Sequence, residues 1–281
     1  MLLEIAIGDA YGAGFEFAKE EIIKKEHKMD KYYGSRIDDL KAGQYTDDTQ
    51  MTLALIELLL SEKEWNKENI ADSFLNVFHR DQRPGYAKGF YNFLLNTKTA
   101  EDFNNKIINN SLRNGAAMRA VPLGVFNSIE EVKEMSKIQA AVTHNTCEGI
   151  ISSQAVSLMS YYFINDIGNV KGLKPFIEEE LQFSFIDNKT TRTKCDGIDT
   201  INAVLTVLNK SKTLREILDH SVSLGGDTDS VASIALGIAS FSKEYEKDLP
   251  NFLFEELENK EYGKDYIKKL ESNFFSKYKI S

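Results

Sequence analysis

Twice in this chain a cluster of acids and hydroxyls stands directly before a run that is apolar on nearly all sides. Tyr45-Thr46-Asp47-Asp48-Thr49-Gln50 precedes Met51–Leu60, and Gly225-Gly226-Asp227-Thr228-Asp229-Ser230 precedes Val231–Ser240. A helix with no polar face has to be surrounded by other elements, so both runs belong at the centre of the fold. Most other long segments carry apolar residues at helical spacing, few alternate with period two, and only 4 prolines interrupt the chain. The pattern predicts an all-α protein, with helices over Lys67–His79, Asp196–Leu208 and Leu214–Leu224. Gln182–Ile186 is the best strand candidate, and Lys19–Lys41 reads as a charged, mobile surface connection.

The bland reading of each cluster is an N-cap, because Asp, Thr and Ser are preferred there. One cap needs one side-chain oxygen, however, and each cluster supplies two carboxylates and at least one hydroxyl. Surplus oxygens of this kind suit a hard cation such as magnesium, manganese or calcium. With Glu16, the set Thr46, Asp47, Asp48, Asp227, Asp229 and Ser230 amounts to five carboxylates and two hydroxyls, enough negative charge for two divalent ions. A helix N-terminus is itself partly positive, so the carboxylates have to supply the attraction. Paired ions in such a setting activate a water and orient an anionic or hydroxyl-bearing substrate.

Elsewhere the chain narrows the choice. At 281 residues it can form one large domain or two small ones, and its net charge of −9 argues against a grip on nucleic-acid phosphates. Two cysteines are too few for a disulfide scaffold and fit a reducing compartment. The start, Met1-Leu2-Leu3-Glu4, lacks the basic and apolar regions of a signal peptide. Gly149–Asn165 is the longest uncharged run, but serines interrupt it, so it reads as a buried helix and not a membrane span. These features predict a cytoplasmic protein.

Leu2–Ile7 followed by Gly8, Gly12 and Gly14 admits a strand and a dinucleotide loop, or two helices packed closely at the glycines. None of the tyrosines has a lysine four residues on, as a short-chain dehydrogenase would need. Asn114-Gly115 reads as a turn opening a helix, whose free N–H groups suit a phosphate. His144 and Cys147 lie one helical turn apart, but four metal ligands of this type are not assembled. A buried cysteine beside a hydrogen-bonding pocket histidine is the better reading. There is no His-Asp dipeptide and no P-loop.

Five motifs in order, Gly8-Asp9-Ala10 through Glu16, Thr46-Asp47-Asp48-Thr49, Asn114-Gly115-Ala116-Ala117-Met118-Arg119, Thr143-His144 and Gly226-Asp227-Thr228-Asp229-Ser230, together resemble the ADP-ribosylglycohydrolase family. The resemblance implies an all-α fold, a single compact orthogonal helical bundle over residues 1–281, with a binuclear metal site at helix N-termini. It implies two magnesium ions, with manganese possible, held by Thr46, Asp47 and Asp48 on one side and Asp227, Asp229 and Ser230 on the other. Glu16, Asp47 and Asp48 become the catalytic acids, and Asn114, Gly115 and His144 bind substrate. The implied activity is hydrolytic release of ADP-ribose from modified protein side chains. Hydrolysis of free derivatives such as O-acetyl-ADP-ribose, or ADP-ribose binding without catalysis, remain open beside it. Ser230 stands where threonine is common, which keeps the hydroxyl. Arg113 stands where glycine is usual, and its guanidinium can pair with a phosphate directly.

Overall fold

The computed structural model describes residues 1–37 and 39–280. Among them are fifteen α-helices, one short 3-10 turn at Val121–Val125, and no strand. The two apolar runs lie inside the helices Asp47–Leu60 and Thr228–Phe241, and both are buried almost throughout. The helices Lys67–Arg80, Gly197–Lys210 and Leu214–Leu224 match the expected ones to within two residues. No helix of the described residues is long and apolar enough to cross a membrane.

Leu2–Gly12 is a helix, not a strand, and its glycines serve close packing. It lies along Thr228–Phe241. A Cβ on Gly8 would stand 2.6 Å from the Ala232 backbone, and one on Gly12 would stand 2.5 Å from the Asp229 Cα. The Thr228 hydroxyl donates to the Gly12 carbonyl at 2.7 Å, which fixes the register between the two helices. Asp47–Leu60 packs against Lys67–Arg80 and Lys264–Tyr278. On the other side, Cys147–Ile164 joins Ile129–Thr143 to Gly197–Lys210. Its serines, which break the uncharged run, make buried bonds: Ser136 donates to Ser157 at 2.7 Å and Ser157 to the Ala120 carbonyl at 3.1 Å.

Three sequence expectations change. Gln182–Ile186 is irregular: Gln182 ends a helix in the left-handed region, and the next amides find side chains instead of a neighbouring strand. Phe185 N–H donates to Glu178 and Ile186 N–H to Asn202. Lys19–Lys41 is more than a connection, since it forms the helix Glu20–Glu26 and buries Ile23, Met29 and Tyr32. Cys147 is exposed, not buried, because it occupies the first turn of a helix capped by Thr146.

The glycine contacts make a direct test. Gly8→Ala should cost about 1–3 kcal/mol in denaturant unfolding, because the methyl would enter a closed backbone contact. A Cβ on Gly89 meets nothing within 4 Å in its helix. Gly89→Ala should therefore stabilise by about 0.4–1 kcal/mol.

Candidate functional site

Asp9 is where the site begins. It leaves the first helix toward Asp47–Leu60, is fully buried, and accepts from the Thr46 N–H at 2.9 Å, the Thr49 N–H at 3.0 Å and the Thr49 hydroxyl at 2.6 Å. A carboxylate from one helix thus satisfies the orphan amides that open another. Thr46 is the N-cap proper, its hydroxyl accepting from Asp48 N–H at 3.3 Å. Asp47 and Asp48 are thereby held at the first turn. Beside them Arg83 is buried, stacked 3.5 Å over the Tyr45 ring, and bonded to Asp81, Glu258 and the Tyr45 carbonyl. This pins the loop that lays Gly85 against Asp47 so closely that a Cβ there would overlap the Asp47 carboxylate.

The second acid pair arrives through Gly225 and Gly226, at φ 71° and 88°. That region favours glycine, and a side chain on Gly226 would also strike the Thr193 backbone. Thr193 N–H donates to Gly225 O at 2.9 Å, and Asp227 N–H to Thr193 O at 3.1 Å. Asp227 then accepts from the Asn114 amide at 2.8 Å, and Asp229 from Ser230 N–H at 2.9 Å. The carboxylates of Glu16, Asp227 and Asp229 offer oxygens that all lie within 4.8 Å of one another and could hold a metal ion. Ser230 and Ser233 both face Asp48, Ser233 at 3.4 Å, so the two helix starts meet.

These groups share one cavity of about 440 Å³. Glu16, Asp47, Asp48, Asp227, Asp229 and Ser230 line it, as do Asn114, Gly115, His144 and Arg113. Thr46, the N-cap of the helix that carries Asp47 and Asp48, is not among its lining residues. Burial, with Asp47, Asp9 and Asp227 nearby, raises the Asp48 carboxyl well above the ordinary range. Burial, with Glu16, Asp227 and Asp48 nearby, does the same to Asp229. Burial also raises Asp9, against the pull of its hydrogen bonds.

At the other end of the cavity, His144 is buried and pushed down to about 3, by burial first and by Arg119 second. Arg119 is itself fully buried, and burial brings it down to about 9. It donates to the Thr143 hydroxyl at 2.8 Å, which lies 2.7 Å from His144 Nδ1. A hydroxyl that accepts from Arg119 still has its own hydrogen to offer Nδ1, an arrangement that puts the neutral imidazole's proton on Nε2. That nitrogen is buried and has no hydrogen-bond partner within the protein. Gly115, whose Cβ would lie 2.8 Å from the His144 ring, opens the short helix Gly115–Met118. The Asn114 N–H is already taken by the Cys195 carbonyl, and its side chain serves Asp227. Sequence reasoning missed Asp9, Gly85 and Arg83. The Gly8-Asp9 dipeptide was a signal for the first, whereas the other two act through contacts between distant segments.

The class is an all-α protein whose acid-lined cavity lies where two buried helices begin. The sequence matches the ADP-ribosylglycohydrolase family over residues 1–279, and the chain belongs to that family of glycosidic-bond hydrolases. It is 24% identical to mouse ADP-ribosylhydrolase ARH3 over 255 residues, covering 69% of this chain and 68% of that one. It is 26% identical to the ADP-ribosyl-[dinitrogen reductase] glycohydrolase of Rhodospirillum rubrum, covering 92% and 89%. With Pseudomonas putida ADP-ribosylarginine hydrolase Tri1 it shares 24%, covering 83% and 67%. A solved ADP-ribosylglycohydrolase-related protein complex has the same fold, with a TM-score of 0.75 at 20% identity over 100% of this chain and 96% of that one.

Two tests follow from the geometry. Asp9→Asn replaces one of two acceptor oxygens with an NH2 donor facing the Thr46 and Thr49 donors, and should cost about 1–3 kcal/mol in denaturant unfolding through the groups it leaves unsatisfied. The second concerns pH. Asp48 and Asp229 are raised above their ordinary value of 3.8, so the folded state binds more protons than the unfolded one above that pH. In EDTA their contribution should be full below pH 3.8 and lost as pH climbs through the raised values. Melting curves from pH 4 upward in EDTA, compared with Asp48→Asn, check it: the variant should show the weaker decline.

Proposed function

We propose that this protein, as one domain over residues 1–281, hydrolyses the bond between ADP-ribose and a modified protein side chain, with two magnesium or manganese ions. The observation carrying this reading is the meeting of Glu16, Asp227 and Asp229 with Asp47 and Asp48 in a cavity that also holds Asn114, Gly115 and His144. The printed activities of the relatives support the substrate class. The donors fit the ions: all are oxygens, as hard cations require, and carboxylates raised by burial first and by their neighbours second are eased by positive charge. Thr46, Asp47 and Asp48 would hold them from one helix, and Asp227, Asp229 and Ser230 from the other. When bound, such ions polarise a hydroxyl or water and offset developing negative charge.

The chain's own groups carry the remaining work. Asp47 or Asp48 takes the proton of the attacking water as positive charge grows on the sugar. Asp47 is the better placed, being half-buried and open to the cavity, while Ser230 and Ser233 engage Asp48. Glu16 assists the departing group. The amides of Gly115 and Ala116 head a helix turn and receive the diphosphate, and His144 Nε2–H donates to a substrate oxygen. ADP-ribose leaves as product. The net charge of −9 argues for a protein carrier over nucleic acid, and the two cysteines fit the reducing cytoplasm.

The test is release of ADP-ribose from ADP-ribosyl-arginine and ADP-ribosyl-serine peptides. Release should occur with magnesium or manganese and stop with EDTA. Magnesium at a hundredfold excess over its Kd should stabilise the fold by about 2.7 kcal/mol. Asp229→Asn should lose both release and most of that gain. Release from O-acetyl-ADP-ribose alone would move the substrate to free ADP-ribose derivatives, and ADP-ribose binding without release would leave a binder.

A further inference from the structure

Phe17 follows Glu16 directly and is held in the left-handed region at φ 48°. Gln182 and Lys279, also left-handed, end helices where that conformation is common. Phe17 does not. Its N–H donates across the cavity wall to the Gly226 carbonyl at 2.8 Å, one residue before Asp227. Ala18 on its far side is tied twice, its N–H to the Phe15 carbonyl at 2.9 Å and its carbonyl to the Arg192 guanidinium at 2.6 Å. An aromatic residue in this conformation is unfavourable, and persists where surrounding bonds over-determine it. The residue stays partly open: Phe17 is 46% exposed, and Ile37, 54% exposed, lines the same cavity. A strained backbone therefore holds an aromatic face out at the mouth, beside the acid that serves the departing group.

We infer that Phe17, with Ile37, is a specificity-determining residue that packs against the polypeptide flanking the ADP-ribosylated side chain. The inference rests on the function proposed above. Phe17 continues directly from Glu16, the acid assigned to the departing group, so what departs from the sugar does so past it. An apolar, flat surface at that point favours carriers with an apolar or aliphatic side chain next to the modified one.

Wild type, Phe17→Ala and Phe17→Leu are compared on three readouts. These are kcat/KM on an ADP-ribosylated peptide with leucine beside the modified residue, kcat/KM on the bare ADP-ribosylated amino acid, and ADP-ribose affinity by calorimetry. Phe17→Ala should lower the peptide value about tenfold while the other two stay within about twofold, and Phe17→Leu should recover most of the loss. Equal loss on peptide and bare amino acid would overturn the inference, since the ring would then be ordering Glu16. A fall in ADP-ribose affinity would overturn it in favour of a nucleotide contact, and no change on the peptide would overturn it outright. Wild type that cleaves neither substrate defeats the proposed function, and this inference with it.

Discussion

The rest of the site depends on backbone meeting backbone at Gly8 and Gly12. Because neither carries a side chain, Leu2–Gly12 lies against Thr228–Phe241 at a separation no alanine would allow. That closeness, with the Thr228 bond to Gly12, fixes where Asp229 starts its helix relative to the turn bearing Glu16. The same short helix sends Asp9 the other way, to hold the start of Asp47–Leu60. Three helix ends are thus indexed to one another through eleven residues, and the acids need no mutual attraction to meet.

They have, in fact, the opposite. Asp9, Asp48, Asp227 and Asp229 are all buried, with Glu16 and Asp47 at the edge. Burial alone penalises each charge, and their neighbours add to it. The compensation inside the protein is partial: Asn114 serves Asp227, Ser230 N–H serves Asp229, and hydroxyls face Asp48. Asp9 takes N–H and O–H donors from Thr46 and Thr49, which marks it as the structural member of the group. The close helix contacts at Gly8 and Gly12, next to Asp9 and Asp229, hold these acids in place despite that repulsion.

The two central helices were legible because a segment apolar on every side has one place to go, and the acids at their starts because one cap needs only one side-chain oxygen. The remaining errors share a cause. Asp9 sits among apolar neighbours and small residues, and nothing in eleven residues says that its partner lies 37 positions on. Gly85 and Arg83 look like an ordinary turn until Tyr45 and Glu258 are brought beside them. Cys147 was misread as buried because periodicity does not reveal which helix turn reaches the surface. Gln182–Ile186 has strand-like composition, but a strand needs a partner, and the amides there found Glu178 and Asn202 first.

The cavity is chemically divided, and the division comes from two buried chains of hydrogen bonds. On one side stand carboxyl groups presented by helix starts, which accept when ionised. On the other, Arg119 passes its constraint through Thr143 to His144, leaving Nε2–H as a donor. The low His144 pKa matters here: an imidazole that stays neutral across the physiological range keeps one nitrogen as donor and the other as acceptor. Arg119 contributes by position and not by contact with the cavity acids, since its guanidinium is spent on Gln139, Thr143 and the Phe74 ring. A ligand with hydroxyls at one end and anionic oxygens at the other can satisfy both halves in a single orientation, and reversing it would set oxygen acceptors against carboxylates.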